Sequence, residues 1–256
     1  MTTNSNNCPD YRDGKYMWDE NNPHGYGNRM GRYRTRVECE FMARHLGAAP
    51  LRVLDVGGGS GRLGTFFHAL GHRVTVMDHN PDAVALARAK GFERAEVCDL
   101  MEYGGRDFDV VSCMEVIEYF KDCAPVLQRC AQFVQPGGIV LFCIINAQSW
   151  RFQLSKIKPS NFPANGSTLA EVERAAQAAG LEIIERRGFQ WCLAPTGSDS
   201  RTIPFWTAIE KWLGLHRWLG QSPWLLYAAR RSVNRVWLIG AGLLGNDLPC
   251  LSEMWA

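Results

Sequence analysis

An acidic residue followed by a run of glycines marks the most informative stretch of this 256-residue chain, Val53 to Gly64. Asp55 closes a short apolar run, and Gly57, Gly59 and Gly61 follow it at alternate positions. Glycine tolerates positive φ and lets a ligand lie directly against the backbone. The pattern therefore predicts a buried strand, a tight turn and a helix start that together form a ligand site.

Two carboxylates indicate which ligand the turn accepts. Gly59-x-Gly61-x-x-Gly64 also fits a dinucleotide-binding turn, although that pattern alone is weak evidence. Asp55 would repel a pyrophosphate and would favour a ligand that carries ammonium and sulfonium charges. Asp78 ends the next predicted strand, 17 residues after Gly61, where a carboxylate can accept from both hydroxyls of an adenosine ribose. A cationic nucleoside is favoured over a nicotinamide dinucleotide.

The elements that must position these residues are strands that alternate with helices along most of the chain. This alternation predicts an α/β fold, a doubly wound, seven-stranded, mostly parallel sheet with crossover helices. The predicted strands are 52–56, 72–77, 95–98, 108–114, 139–145, 181–186 and 224–229, and the predicted helices are 32–47, 62–70, 81–90, 123–133 and 167–179. A turn is predicted at 135–138.

The predicted organisation is one domain with additions at both ends. Residues 1–31 form an N-terminal arm or lid, 32–230 form the domain, and 231–256 form a tail. An aromatic-rich insertion at about 190–222 could line an apolar pocket, pack as a helix or make an oligomer contact. The tail could lie on a membrane surface through Arg230, Arg231 and Arg235, or pack on the core or on a second subunit.

Composition excludes several classes of function. The net charge of +2 without clustered basic residues argues against a nucleic-acid partner. Nine scattered cysteines without a C-x-x-C pair argue against disulfides or zinc and favour a reducing cytoplasm. The polar first ten residues and the absence of an apolar run of ~18 residues predict neither a secretory signal nor a transmembrane segment. The expected partner is a small-molecule substrate, and a homodimer is left open.

With its motifs in this order, the chain resembles the class I methyltransferases that use S-adenosylmethionine (SAM), from about Arg32 to Ala229. Asp55-Val-Gly57-Gly-Gly59-Ser-Gly61 matches their D/E-x-G-x-G-x-G motif. Within that superfamily, CMEVIEYF at 113–120 resembles the C-M-E-x-x-E-H signature of ubiquinone-biosynthesis O-methyltransferases. The resemblance implies a Rossmann-like fold, SAM as the cofactor and S-adenosylhomocysteine (SAH) as the product.

The resemblance also implies which residues hold the cofactor. Asp78 would bind the ribose, Asp99 would lie beside the adenine with Leu100 packed on the ring, and Met114 would face the sulfonium. An arginine on the helix before the first strand helps to hold the cofactor in that group; Arg36 is the nearest match, and Arg34 is the alternative because a gap is needed. Either aspartate could instead cap a turn, and either arginine could be a solvated charge. The full predicted set is Arg36, Asp55, Gly57, Gly59, Gly61, Asp78, His79, Asp99, Leu100 and Met114.

The chain departs from the signature at Tyr119, where the group has histidine. The change removes the side chain that is best suited to proton transfer near neutral pH. Glu115 and Glu118 remain as catalytic candidates, together with His24 in the N-terminal arm. No metal is expected, although the two glutamates are the residues that would hold a divalent cation; they could also be ordinary charges in a helical turn, and His24 an exposed loop residue. The predicted substrate-contacting residues are Tyr16, Trp18, Tyr119, Asn146, Trp150 and Arg151.

The sequence therefore predicts a SAM-dependent enzyme that methylates a small molecule. The favoured acceptor is the oxygen of a phenolic or prenylated aromatic in quinone or secondary-metabolite biosynthesis. An N- or C-methyltransferase of an amine or natural product is the alternative, because Tyr119 is a weaker base than histidine and a neutral amine needs a base less. A nicotinamide-dependent oxidoreductase and a non-catalytic SAM-binding subunit are the alternatives from other classes.

Overall fold

The computed structural model describes residues 27–157, 165–192, 194 and 197–233. The predicted candidates Tyr16, Trp18, His24 and Arg235 lie outside these ranges, as do most of the predicted arm and tail. Within the described ranges, no helix has the length and apolar character needed to cross a bilayer.

Seven strands form one mixed sheet in the order β3-β2-β1-β4-β5-β7-β6. Strands β1 to β5 pair in parallel, and β7 runs antiparallel to both β5 and β6. The strands are β1 Arg52–Val56, β2 Arg73–Asp78, β3 Arg94–Val97, β4 Phe108–Cys113, β5 Val134–Ile145, β6 Leu181–Phe189 and β7 Trp224–Arg231. The helices are α1 Arg29–Ala43, α2 Arg62–Ala69, α3 Pro81–Ala89, α4 Cys123–Phe133, α5 Trp150–Ile157, α6 Leu169–Ala178 and α7 Ile203–Trp212. The predicted α/β fold class is confirmed.

Apolar side chains cover both faces of the sheet, as the continuous apolar strands require. Val53 and Leu54 are consecutive in β1 and point to opposite faces, yet both are fully buried. One core lies between the sheet and helices α4 and α6, and the other lies between the sheet and helices α1 and α2. The chain order reverses between β1 and β4, so the loops that follow these two strands diverge and leave a crevice at their carboxyl ends.

Long-range contacts account for the main differences from the predicted elements. Helix α1 was expected over 32–47, but it spans Arg29–Ala43 because its start is held by the insertion: the Met30 N–H donates to the Ser198 carbonyl at 3.1 Å and Arg29 pairs with Asp199 at 2.8 Å. The predicted turn at 135–138 lies within β5, where Gly137 has φ +81°. The insertion contains helix α7, one of the alternatives left open for it, whereas α5 was not predicted.

Candidate functional site

The glycine turn after β1 is closely packed by neighbouring loops. Gly57, Gly59 and Gly61 all have positive φ, at +62°, +56° and +80°. A Cβ atom on Gly57 would lie 2.4 Å from a methyl group of Val116, and one on Gly61 would lie 2.5 Å from the ring of Phe92. The turn thus needs glycine both for its backbone conformation and for its close contacts.

Asp78 lies at the carboxyl end of β2 with its carboxylate held by the backbone. Its Oδ2 accepts a hydrogen bond from the Gly59 N–H at 2.9 Å, and its Oδ1 accepts from the Asn80 N–H at 2.8 Å. His79 is half-exposed, with its Nδ1 3.4 Å from Asp78 Oδ1. These contacts fix the orientation of the carboxylate and join the end of β2 to the glycine turn.

Asp55 is buried beneath the turn instead of facing the crevice. A Cβ atom on Gly58 would lie 2.7 Å from its Oδ2, so the turn directly covers the carboxylate. Burial raises the pKa of Asp55 to about 6. The structure places the Asp55 carboxylate against Gly58, where it supports the turn; its contact with a ligand stays a prediction.

The segment after β3 leaves the role of Asp99 open. Its side chain is exposed, and its Oδ1 accepts from the Met101 N–H at 2.7 Å, which caps the local turn. Leu100 and Met114 are both buried. An exposed carboxylate at a strand end can cap a turn and still contact a ligand, since each oxygen has two lone pairs.

A ring of two arginines and two glutamates lies beside the residues that follow β4. Arg34 Nε lies 2.7 Å from Glu115 Oε1 and 3.2 Å from Glu38 Oε1. Arg62 contacts the same two carboxylates, Glu38 at 2.7 Å and Glu115 at 3.2 Å. Each carboxylate therefore contacts both guanidinium groups. We call Arg34, Glu38, Arg62 and Glu115 the charged ring.

The charged ring is removed from water on most sides. Glu38 is fully buried and Arg34 is 1% exposed. Burial raises the pKa of Glu38, while Arg62 and Arg34 act in the opposite direction. The Arg34 guanidinium also lies over the Trp224 ring, 3.7 Å from its centroid. Glu115 has φ +59°, a conformation that is uncommon for a non-glycine residue and occurs often at functional sites.

Glu118 lies next to this ring on the short 3-10 turn Ile117–Tyr119 and is buried. Burial, and then the charge of Glu115, raise the pKa of Glu118 to about 8. Its Oε2 has no hydrogen-bond partner within the described residues. Near neutral pH this carboxyl group is therefore mostly protonated, next to an ionised glutamate. Tyr119 is half-buried on the same turn.

The two arginine candidates on α1 differ sharply in position. The Arg36 side chain is 64% exposed, and its nearest charged partner is Glu40 at 4.0 Å. Arg34 is buried in the charged ring. The structure thus places the alternative, Arg34, at the site, and the predicted Arg36 on the outer surface of the helix.

Two predicted substrate residues hold the insertion in place. The Asn146 side chain is buried, and its Nδ2 donates to the carbonyls of Leu219, Gly220 and Ser222 at 3.0, 3.1 and 3.0 Å. Arg151 Nη1 donates to the Cys192 carbonyl at 2.8 Å. Both side chains therefore connect the end of β5 and helix α5 to the insertion, and their contact with a substrate stays a prediction. Trp150 is half-buried at the first position of α5.

Glu38 and Arg62 were not predicted as site residues, although the sequence carried weak signals for both. Arg34 and Glu38 are spaced i,i+4, which places them on one helix face. Arg62 is the first residue of α2, where the helix dipole disfavours a positive charge. The structure supplies two acids that offset this penalty, Glu38 from α1 and Glu115 from the segment after β4. The described residues contain no group of three or more His, Cys, Asp or Glu side chains arranged to hold a metal ion.

Comparison with known sequences gives a consistent family. A family described as a methyltransferase domain matches residues 30–186. The ubiquinone biosynthesis O-methyltransferase of Aromatoleum aromaticum is 36% identical over 173 residues, which cover 60% of this chain and 74% of that protein. The protein of the same name from Xanthomonas oryzae is 33% identical over 129 residues, 47% of this chain and 54% of that protein. The match therefore spans about half the length of the Xanthomonas relative.

Solved structures share the fold at low sequence identity. Magnesium protoporphyrin IX methyltransferase from Synechocystis, solved with bound SAH, has a TM-score of 0.58 at 16% identity, covering 79% of this chain and 84% of that chain. A 1,6-didemethyltoxoflavin-N1-methyltransferase from Burkholderia thailandensis has a TM-score of 0.52 at 21% identity, covering 77% and 78%. These similarities cover more than three quarters of this chain and support the class I fold.

Proposed function

Because this chain belongs to the class I SAM-dependent methyltransferases, we propose that it methylates the oxygen of a small phenolic or prenylated aromatic molecule. The single observation that carries the proposal is that two carboxyl groups lie after the carboxyl ends of strands in one sheet. One is Asp78, held by the backbone after β2, and the other is buried Glu118 after β4. The first is suited to bind a nucleoside and the second to accept a proton. The similarity to proteins named O-methyltransferases supports oxygen as the acceptor atom.

The residues around the glycine turn fit SAM. Three positive-φ glycines leave backbone without side chains at the mouth of the turn. Asp78 lies at the carboxyl end of β2, where a carboxylate can bind a ribose, and the N–H groups of Gly59 and Asn80 fix its orientation. We assign the ribose to Asp78, the adenine to Asp99 and Leu100, and the sulfonium side to Met114. When bound, SAM supplies a methyl group on a positively charged sulfur.

The charged ring supplies a fixed environment for that cofactor. Glu115 is held by two guanidinium groups, so its carboxylate keeps one position. Its negative charge would favour a cationic ligand, and Arg34 orients it from α1. Glu115 is thus proposed as an electrostatic residue and not as a base, because paired carboxylates are poor proton acceptors.

Glu118 is the proposed proton acceptor. With a pKa of about 8, it is a stronger base when ionised than an ordinary glutamate. It is therefore better matched to the proton of a phenol, and it replaces the function that Tyr119 cannot provide. Oxygen attack on the methyl group also requires close positioning, with the reacting atoms held ~3–3.5 Å apart. Tyr119 and Trp150 remain the proposed substrate contacts among the described residues.

Binding measurements separate the family's cofactor from the nicotinamide alternative. Calorimetric titration of the full chain with SAH should give a 1:1 isotherm, and titration with NAD should give none. Asp78→Asn should weaken SAH binding by roughly 10- to 100-fold, since hydrogen bonds to a charged group contribute about 1.5–3 kcal/mol. Asp82→Asn makes the same charge change at an exposed position on α3 and should leave the affinity within about twofold.

Acceptor chemistry is tested with a panel of catechols, amines and carbon acids. Methylated products that carry the new group on oxygen would support the proposal. Products methylated only on nitrogen or carbon would overturn the O-acceptor and support the alternative.

The seven cysteines among the described residues are free thiols, which supports placing the enzyme in the cytoplasm as part of the same proposal.

A further inference from the structure

Helix α7 buries two polar side chains and exposes most of its aromatic ones. Thr207 and Glu210 lie on its buried face together with the apolar Ile203. On the opposite face, Phe205 is 63% exposed and Trp212 is 82% exposed. A surface helix normally shows the reverse arrangement, with its apolar stripe toward the core.

The inner face is fixed by specific hydrogen bonds, so the outward apolar face is imposed by the fold. Glu210 accepts from the backbone N–H groups of Gln190 and Trp191, each at 3.1 Å. Burial raises the pKa of Glu210, and a hydrogen bond from Tyr33 acts in the opposite direction. Rotating α7 to hide its aromatic residues would break these contacts and leave a buried carboxyl group without partners.

The exposed side of the insertion is aromatic and cationic from position 200 onward, while the exposed Asp199 just before it pairs with Arg29 at 2.8 Å. We define the aromatic face as the exposed residues Phe205, Trp206, Trp212, Leu213 and Trp218. The exposed charged side chains between positions 200 and 222 are all positive: Arg201, Lys211 and Arg217. The only acidic residue in that stretch is Glu210, which is buried.

We propose that the aromatic face docks on an anionic lipid surface. Indole rings are stable at the boundary between headgroups and acyl chains, because one edge is polar and the rest is apolar. Cationic residues beside such a face add attraction to lipid phosphates. A second copy of the chain fits less well, since a two-fold contact would bring the same cations against one another.

Docking would place the crevice next to the bilayer. Strand β6 ends at the same sheet edge as β1 and β4, and the Gln190 Oε1 at its end accepts from Arg34 Nη1 at 3.3 Å. Glu210 holds the backbone of the same glutamine. An apolar acceptor dissolved in the bilayer could then reach the site without crossing water. This consequence rests on the proposed function, whereas docking itself does not.

Vesicle flotation of the full chain tests the proposal. With vesicles that contain phosphatidylglycerol the protein should float, and with pure phosphatidylcholine it should float much less. The double variant W212S/W218S should lower the partition coefficient at least tenfold. The pair K211Q/R217Q should lower it by roughly fivefold per charge on anionic vesicles only. L70S, which alters an exposed leucine directly after α2, is the control and should change nothing.

Three results would overturn the proposal. The full chain could stay at the bottom of the gradient with both kinds of vesicle. The W212S/W218S variant could float as well as the unaltered chain, which would show that another part of the chain contacts the vesicles. In sedimentation velocity it could form a dimer that W212S/W218S dissociates, which would make the aromatic face an interface between copies. Because these readouts need no methyl transfer, they remain valid if the proposed function fails.

Discussion

The glycine turn after β1 and the charged ring beside β4 lie at the same sheet edge, but different forces hold them. The turn is held mainly by its backbone: the Gly61 N–H donates to the Gly58 carbonyl at 2.9 Å, and the Gly58 N–H donates to the Met77 carbonyl at 3.1 Å. The ring combines side chains from α1, α2 and the end of β4. Substitutions in the turn should therefore destabilise the protein through backbone strain. Substitutions in the charged ring should destabilise it by leaving a buried charge without its partners.

The largest effect is expected from Glu38→Gln in the charged ring. The change keeps the shape of the side chain but leaves Arg34 and Arg62 with one carboxylate between them. Loss of one partner from a buried ion pair costs about 3–5 kcal/mol. Urea unfolding measures this as a fall in the free energy of unfolding.

Glu40→Gln is the matched control for that prediction, because Glu40 lies on the exposed side of the same helix. We expect a change of at most about 0.5 kcal/mol there. Equal losses at Glu38 and Glu40 would show that the charged ring does not carry the stability that its burial implies.

The next largest effect is expected from Gly57→Ala in the turn. Alanine would have both an unfavourable φ and a Cβ atom 2.4 Å from Val116. We expect a loss of about 2–3 kcal/mol together with weaker SAH binding.

Gly71→Ala separates the two causes. Gly71 has φ +84°, but a Cβ atom added there would have no heavy atom within 4 Å. Gly71→Ala should lower the free energy of unfolding by about 1 kcal/mol, the cost of a positive φ for alanine, and leave SAH affinity unchanged. If Gly57→Ala behaved like Gly71→Ala in both measurements, the close packing of the turn would have no functional role.

The same contrast explains which parts of the molecule could be predicted from sequence. Asp55, the three glycines and Asp78 occur within one strand-turn-helix-strand segment, and β1 has the predicted bounds of 52–56. The Asn80 cap follows from local rules too, since its side chain accepts from the backbone of Asp82. Local pattern was sufficient where neighbouring residues determine the structure.

Long-range contacts were beyond such reasoning. Arg34 and Arg36 are two positions apart, and only the packing of α1 on the sheet decides that Arg34 points inward. Asn146 resembles a substrate contact at a strand end, yet it binds the backbone of residues 219–222 more than seventy positions later. The start of α1 likewise depends on Ser198 and Asp199.

A graded effect, small per pH unit, is expected in the pH dependence of stability. Glu118 has a folded-state pKa of about 8, above its ordinary value of about 4.3 in an unfolded chain. The folded state therefore binds the extra proton between these values, and stability falls as pH rises through that window, by at most about 1.4 kcal/mol per pH unit. Glu118→Gln should flatten this slope in urea unfolding measured from pH 5 to 9. An unchanged slope would mean that the carboxyl group is ionised throughout.

The smallest effect is expected at Arg36. Arg36→Gln should change the free energy of unfolding by under about 0.5 kcal/mol and leave SAH affinity unaltered, because the side chain lies in solvent. Arg34→Gln should cost several times more, since it leaves the buried Glu38 with fewer partners. A loss of SAH affinity in Arg36→Gln alone would reverse the assignment of the two arginines.

The most direct test of the account is the pH profile of kcat/KM for methylation of a catechol by SAM, compared between the unaltered protein and Glu118→Gln. Because Glu118 must be ionised to accept the phenol proton, kcat/KM should rise with pH and level off near pH 8. Glu118→Gln should lower the plateau by at least about a hundredfold and remove that inflection, with SAH affinity retained. A Glu118→Gln profile that matched the unaltered protein in height and shape would contradict the assignment of Glu118 as the proton acceptor.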